Sequence, residues 1–409
     1  MTEIITAMKP LQIQISETVE QNREEYIKFL QELVRIPSLS GEESKVAEYI
    51  AEKMMSYGYD IVKVDSLSDV MASIRGSGGG RSILFNGHLD HVPVGDMEEP
   101  YSGKIMNGSE FGLNGPVIYG RATSDMKAAL SAMVIAGGLL NDMGISLKGD
   151  YRVAAVALEE LGGKGTKSTI RVGFTGDLVV IGEATNMKLA LGHRASTKLQ
   201  VVVKGRSCHA SAPERGVNAL YKAIDLINSI RGKLIPKLPV NEMYGAVTLA
   251  VTRISVKPDA FNVVPEECRF FIDCRYHPDY SRETLINDLE RIIDSLSNDD
   301  SEFKAYVVKD TGDLSAQFMG YFTNPKDFPI VRESKDAIAE VHGATPEYIT
   351  WRFATDGGNY YRLGIPVIGF GPGEERFAHT QQDNVRIRDY LDTIKVYAFL
   401  ACRICGVYE

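Results

Sequence analysis

Apolar residues recur at helical spacing between positions 20 and 35, where Ile27, Phe29, Leu30, Leu33 and Val34 share a face and Pro37 stops the run. A second helix is expected from Ser40, read as an N-cap over Glu42 and Glu43, to about Tyr57. The runs 70–75 and 82–85 read as strands, with Gly76-Ser77-Gly78-Gly79-Gly80 as a hairpin turn between them. Residues 128–140 form a helical run. The segments 153–158 and 178–181 are apolar at successive positions, the pattern of strands covered on both faces. Near the C-terminal end, 334–342 reads as a helix and 367–370 as a buried strand ending at Gly371-Pro372-Gly373.

Between about 196 and 309 the rhythm changes. Strands are expected at 197–203, 246–254, 269–274 and 304–308, and helices at 218–230 and 283–296. That βαββαβ order describes a compact α+β unit inserted into a larger chain. The predicted architecture is therefore an α/β catalytic domain, 1–195 plus 310–409, interrupted by a second domain at 196–309. Its strand 246–254 is a candidate sheet edge for pairing with another subunit.

Composition narrows the function classes. The chain has 409 residues, 44% hydrophobic and 24% charged, which is ordinary for a folded protein and too apolar for a disordered one. Its formal net charge of −9 argues against nucleic acid or an anionic membrane as the main partner. No window approaches the roughly 20 apolar residues of a membrane span, and positions 1–20 show no basic flank leading into an apolar stretch, so no secretory signal is expected. The odd number of cysteines, Cys208, Cys268, Cys274, Cys402 and Cys405, makes no disulfide framework and points to a reducing cytoplasm. Cys402 and Cys405 sit in an apolar stretch without the βαβ context of a redox motif, so both read as buried structural thiols. Neither Gly76–Gly80 nor Gly162-Gly163-Lys164-Gly165-Thr166 has the spacing of a phosphate loop, which removes a nucleotide-dependent enzyme from consideration.

The residues with chemical potential sit at the ends of apolar runs. Ile83-Leu84-Phe85 leads into His88 and Asp90, which point the same way on an extended segment, and a carboxylate beside an imidazole can orient a metal-ligating His. Asp125 precedes the helical run, where it reads equally well as a helix-terminal carboxylate. Glu159-Glu160 ends one apolar strand, where two free charges would be costly without compensation, and Glu183 ends another. His379 follows the Gly-Pro-Gly turn. Taken singly, each has an ordinary structural role. Together they converge where α/β sheets place their ligands, and two imidazoles with three carboxylates suit Zn, Co or Mn rather than Ca or Mg.

With these residues in place, the sequence resembles the M20 family of metallopeptidases and amidohydrolases nearly end to end. The resemblance rests on Leu33-Val34-Arg35-Ile36-Pro37-Ser38, Gly87-His88-Leu89-Asp90, Gly120-Arg121-Ala122-Thr123-Ser124-Asp125-Met126-Lys127, Glu159-Glu160 and Ala378-His379-Thr380. It implies a zinc-exopeptidase-like catalytic domain with an inserted ferredoxin-like lid and dimerisation domain, acting as a homodimer. It also implies two divalent ions, with His88 and Glu183 on one, Glu160 and His379 on the other, and Asp125 between them. Asp90 would orient His88, and Glu159 would be the general base toward a metal-bridging water. In the lid, His209 would stabilise an oxyanion, Asn262 and Arg275 would hold a substrate carboxylate, and Gly371 and Gly373 would let backbone approach the substrate. His91 departs from the family pattern by adding a third imidazole near the site.

The resemblance implies hydrolysis of an amide in a small N-acyl amino acid. A dipeptidase or carboxypeptidase of the same family remains open, because no motif says whether a free α-amine is accepted. A non-catalytic homologue is the reading from a different class; its signature would be loss of Glu159 or of ligands, and all are present.

Overall fold

The computed structural model describes residues 9–277, 280–309 and 319–408. The described chain divides into two compact units. One draws on Met1–Gly192, Phe322–Thr350 and Thr355–Glu409, the other on His193–Tyr321 and Trp351–Ala354. The boundary expected at position 310 lies outside the described residues.

The first unit is built on a mixed sheet. Seven of its nine strands run in the spatial order Ile61–Val64, Val70–Ile74, Tyr151–Val156, Ile83–His88, Leu178–Ile181, Val367–Gly369 and Leu189–His193. Tyr151–Val156, Ile83–His88, Leu178–Ile181 and Val367–Gly369 are mutually parallel. Ile83–His88, Leu178–Ile181 and Val367–Gly369 are buried at every position, as strands covered on both faces must be. Parallel strands bring their C-terminal ends to one side, and that is where His88, Glu159, Glu160 and Glu183 emerge. Helix Ala128–Asp142, buried along 128–140, and helix Ile387–Cys405 complete the core.

Several sequence expectations are corrected here. The glycine-rich 76–80 segment is not a hairpin turn, because Tyr151–Val156 inserts between the two strands it joins, antiparallel to Val70–Ile74 and parallel to Ile83–His88. Its amides bond instead to the 147–150 loop, with Ser77 N–H on Leu147 O and Gly78 N–H on Lys148 O. Ser40 is not an N-cap: helix Ser44–Ser56 begins after Glu43, and the Ser40 hydroxyl donates to Asp90 Oδ2 at 2.7 Å. The helix expected from position 20 starts at Arg23 and is preceded by a separate helix, Leu11–Gln21. Asp125 stands ahead of the helix that begins at Ala128, where the sequence places it, with a φ of −134° and ψ of 90°.

The second unit is an antiparallel sheet in the order Thr248–Lys257, Glu267–Tyr276, Ala195–Lys204, Lys304–Val308, with helices Ala219–Ser229 and Arg282–Asp299. Along Glu267–Tyr276, Cys268, Phe270, Ile272 and Cys274 point into the core, while Arg269, Phe271, Asp273 and Arg275 alternate to the other face. Thr248–Lys257 is an edge of this sheet, with Ile254 exposed. Asn218 caps the first helix, its Oδ1 accepting from the Leu220 and Tyr221 amides.

Candidate metal centre

The residues singled out at the strand ends form one cluster. His88 Nε2 lies 2.8 Å from Asp125 Oδ1 and 3.6 Å from Glu183 Oε1. His379 Nε2 lies 3.0 Å from the other oxygen of Asp125, Oδ2, and 2.8 Å from Glu160 Oε1. Among the described residues these make two ligand triads, His88–Asp125–Glu183 and Asp125–Glu160–His379, with all the ligand atoms of each within 4.8 Å of one another. Asp125 belongs to both.

Protons on the two imidazoles satisfy part of this cluster and leave buried carboxylate oxygens of Glu159 and Glu183 unmet. His88 Nδ1 donates to the main-chain carbonyl of Asp90 at 2.9 Å, so a neutral ring turns the lone pair of Nε2 toward the carboxylate of Asp125. Burial opposes charging of His88, but its hydrogen bonds to Asp125 and Asp90 outweigh that and raise it well above the ordinary histidine range, so in the absence of a cation a proton on Nε2 fills this position. Burial pushes Glu183 well above the ordinary carboxylate range, and Asp125 adds to the push. Burial likewise raises Glu159, with repulsion from Asp356 next. Burial also opposes ionisation of Asp125, but hydrogen bonds from His379 and His88 outweigh it and hold this carboxyl below its usual range. Glu183 Oε2 and Glu159 Oε1 are buried without a hydrogen-bond partner. Carboxylates crowded around two imidazoles, with buried oxygens unmet, fit divalent cations of the borderline class.

Asp90 orients His88 through its carbonyl, while its carboxylate Oδ1 stands 3.5 Å from Nδ1. That carboxylate accepts from the amides of Glu159 and Glu160 and from Ser40. His91 is buried and neither faces solvent nor joins the triads. Its Nε2 accepts from the Ser38 amide at 3.0 Å, and its Nδ1 donates to Val92 O at 2.7 Å. Gly371 and Gly373 make close backbone approaches within the protein. A Cβ on Gly371 would fall 2.4 Å from Gly182 O and 2.5 Å from Glu183 O, and one on Gly373 would fall 2.3 Å from Ser124 O.

In the second unit, His209 and Asn262 lie together where Cys208–His209 pairs with Val263–Val264 and the Ala210 amide bonds Asn262 O. His209 Nδ1 accepts from the Ser211 amide at 3.2 Å, so the neutral ring carries its proton on Nε2. Arg275 directs its guanidinium at Asp273, Nε to Oδ1 at 2.9 Å.

Sequence reasoning passed over Asp383. Its carboxylate accepts from the Ala122 and Ser124 amides, both at 2.8 Å, and meets Arg121, which holds the loop carrying Asp125. It also passed over Asp356, which accepts from Thr166 Oγ1 at 2.7 Å. Neither stands at the end of an apolar run, so no local pattern marks it. Cys402 and Cys405 are buried thiols on the last helix, each pushed up to about 12 by burial.

No described helix is long and apolar enough to cross a membrane. The chain is 29% identical to the Escherichia coli K12 protein YgeY over 386 residues, covering 90% of this chain and 92% of that one. It is 26% identical to the succinyl-diaminopimelate desuccinylase of Rickettsia felis over 392 residues, covering 91% and 98%. Its fold matches that of Bacillus subtilis YXEP, a dinuclear metal-binding peptidase of the M20 family, at a TM-score of 0.72 and 15% identity, covering 95% of this chain and 100% of that one. Residues 84–403 match the peptidase family M20/M25/M40, and the chain belongs to that family.

Proposed function

We propose that this M20 hydrolase cleaves the amide bond of a small N-acyl amino acid, with Glu159 as the general base. The observation that carries the reading is Asp125, shared by the two triads, with one carboxylate oxygen of Glu159, Oε1, buried and without a hydrogen-bond partner. His88 and Glu183 would hold one divalent ion, Glu160 and His379 the other, and Asp125 both; zinc is the proposed metal. When bound, such ions lower the pKa of water and polarise the amide carbonyl. Glu159 takes the proton of the attacking water and returns it to the leaving nitrogen as the C–N bond breaks. His209, with its proton on Nε2, is assigned to the developing oxyanion. Asn262 and Arg275 are assigned to the substrate carboxylate, for which Arg275 exchanges its bond to Asp273. Five free thiols support a cytoplasmic location, and the exposed edge strand Thr248–Lys257 supports a homodimer through the second unit.

The name of the Rickettsia relative, a desuccinylase, supports an acyl amino acid substrate, and that of the Bacillus structure, a peptidase, supports a dipeptide as the second reading. Hydrolysis of N-acetyl amino acids, N-succinyl amino acids and dipeptides, each with and without chelator, tests both. Chelator-sensitive release of an amino acid from the acyl substrates supports the first reading, and release from dipeptides alone supports the second. Turnover indifferent to chelator overturns both.

A further inference from the structure

We propose that Glu43 and Asp69 are positioning residues for Glu159, holding the backbone from which the base projects; the inference rests on the reading of Glu159 as the base. Strand Tyr151–Val156 ends just before a turn at which four successive amides all donate to carboxylates. Ala157 N–H reaches Asp69 Oδ1 at 2.8 Å, and Leu158 N–H reaches Glu43 Oε1 at 3.1 Å. The Glu159 and Glu160 amides reach Asp90 Oδ1 at 3.1 Å and Oδ2 at 3.2 Å. Leu158 has a φ of 57°, in the left-handed region that non-glycine residues rarely adopt. Successive amides turned to one side in this way make a concavity of fixed positive partial charge, and the carboxyl oxygens of Asp69, Glu43 and Asp90 fill it.

The three acids come from three separated elements. Glu43 precedes helix Ser44–Ser56, Asp69 precedes strand Val70–Ile74, and Asp90 follows strand Ile83–His88. Glu43 and Asp69 are both buried, which is costly for a carboxylate unless it is bonded. Glu43 Oε1 also accepts from the Gly41 amide, so one oxygen ties the 41–43 turn to the base segment. Position 165 leaves room for Asp69, since a Cβ on Gly165 would fall 2.2 Å from Asp69 Oδ1. The two amides held by Glu43 and Asp69 set the peptide planes leading into Glu159. Releasing either lets those planes rotate and swings the base, and a displacement of about 1 Å at a reacting group can cost on the order of 100-fold in rate.

The test uses Glu43→Ala, Glu43→Gln, Asp69→Ala and Asp69→Asn, with Glu159→Gln as the control on the base itself. Three readouts are taken: metal per chain, amide hydrogen exchange of the 156–161 segment, and kcat and KM on the best substrate of the N-acyl and dipeptide panel. In the alanine variants kcat should fall about 10–100-fold with KM nearly unchanged and metal retained, as for other groups that orient a site from behind. Exchange at 157 and 158 should quicken in those variants without substrate present. The Gln and Asn variants keep an acceptor oxygen and should recover most of the rate. Wild-type kcat in both alanine variants overturns the proposal, as do amide variants no better than alanine. If an alanine variant does not fold, Glu43→Asp, one methylene short of Leu158 N–H, decides the matter: a lowered kcat supports the role and an unchanged one overturns it. Full activity of Glu159→Gln overturns the base assignment. An inactive Glu159→Gln beside fully active alanine variants overturns only the positioning role.

Discussion

Asp90 binds the backbone of Glu159, with Oδ1 accepting from the Glu159 amide at 3.1 Å. The residue that carries the His88 acceptor on its carbonyl therefore also anchors the base through its carboxylate. Replacing its side chain leaves the His88 acceptor, a main-chain carbonyl, in place and removes the anchor of the base. Asp90→Ala is expected to lower turnover about 10–100-fold, the usual cost of removing a supporting group behind a metal site, here the one that fixes the Glu159–Glu160 backbone. Asp90→Asn keeps one acceptor oxygen for three donors and should fall between the two. Steady-state kinetics with metal analysis checks this; wild-type turnover in Asp90→Ala would show that the carboxylate does nothing for the base.

His91 makes a pH prediction for stability. Its ring is held at about 4, chiefly by burial, with the Val92 carbonyl opposing and Lys127 and Arg121 adding to the depression. In the unfolded chain a His titrates near 6.5. Above that pH both states are neutral and His91 contributes no pH dependence. As pH falls from 6.5 toward 4 only the unfolded state takes the proton, so the folded state loses up to about 3 kcal/mol at about 1.4 kcal/mol per unit. Urea unfolding at pH 7 and pH 5 should show the loss. His91→Gln should be less stable at pH 7 and should fall less steeply below 6.5; an equally steep fall would assign the effect to other groups.

Gly371→Ala places a methyl against Gly182 O and Glu183 O, which are backbone atoms that cannot step aside locally. The expected cost is about 1–3 kcal/mol, as for other overpacked sites. Because the displaced segment carries Glu183, metal content should fall as well. Thermal unfolding with metal analysis would check it, and an unchanged Tm with full metal would mean the segment relaxes freely.

In the second unit, the Asn218 side chain caps two amides of helix Ala219–Ser229. Asn218→Ala should cost about 1 kcal/mol. Denaturant unfolding measures it directly, and an unchanged midpoint would show the cap to be dispensable.

Thiol labelling tests the reading of the cysteines. Cys268, Cys274, Cys402 and Cys405 are buried and burial pushes each thiol up, whereas Cys208 is partly exposed. A thiol reagent at pH 8 should modify Cys208 first and the rest only on unfolding. Rapid native labelling of Cys402 or Cys405 would revive a redox role for that pair.

Three of the candidate ligands, His88, Glu160 and Glu183, were legible because they follow apolar runs, and parallel strands gather their C-terminal ends on one side, whereas Asp125 and His379 stood out only through the family resemblance. What stayed hidden depends on partners distant in the chain. The strand Tyr151–Val156 enters between two strands that local sequence joins as a hairpin, and no nearby residue announces it. Ser40 has the chemistry of a cap, but its hydroxyl is taken by Asp90. Asp69, Asp356 and Asp383 are isolated acids in sequence, and Glu43 reads there as a first-turn carboxylate beside Glu42. Their partners are backbone amides and a hydroxyl many residues away, so burial and long-range bonding define them rather than any motif.

The central claim, that Glu159 moves the proton at a centre built around Asp125, is tested most directly by measuring metal content and turnover of Glu159→Gln on the same preparation. The account predicts about two divalent ions per chain, as in the wild type, and a turnover lowered on the order of 100–10,000-fold, the range general acid–base catalysis supplies. Turnover near the wild-type value with that metal in place would contradict it.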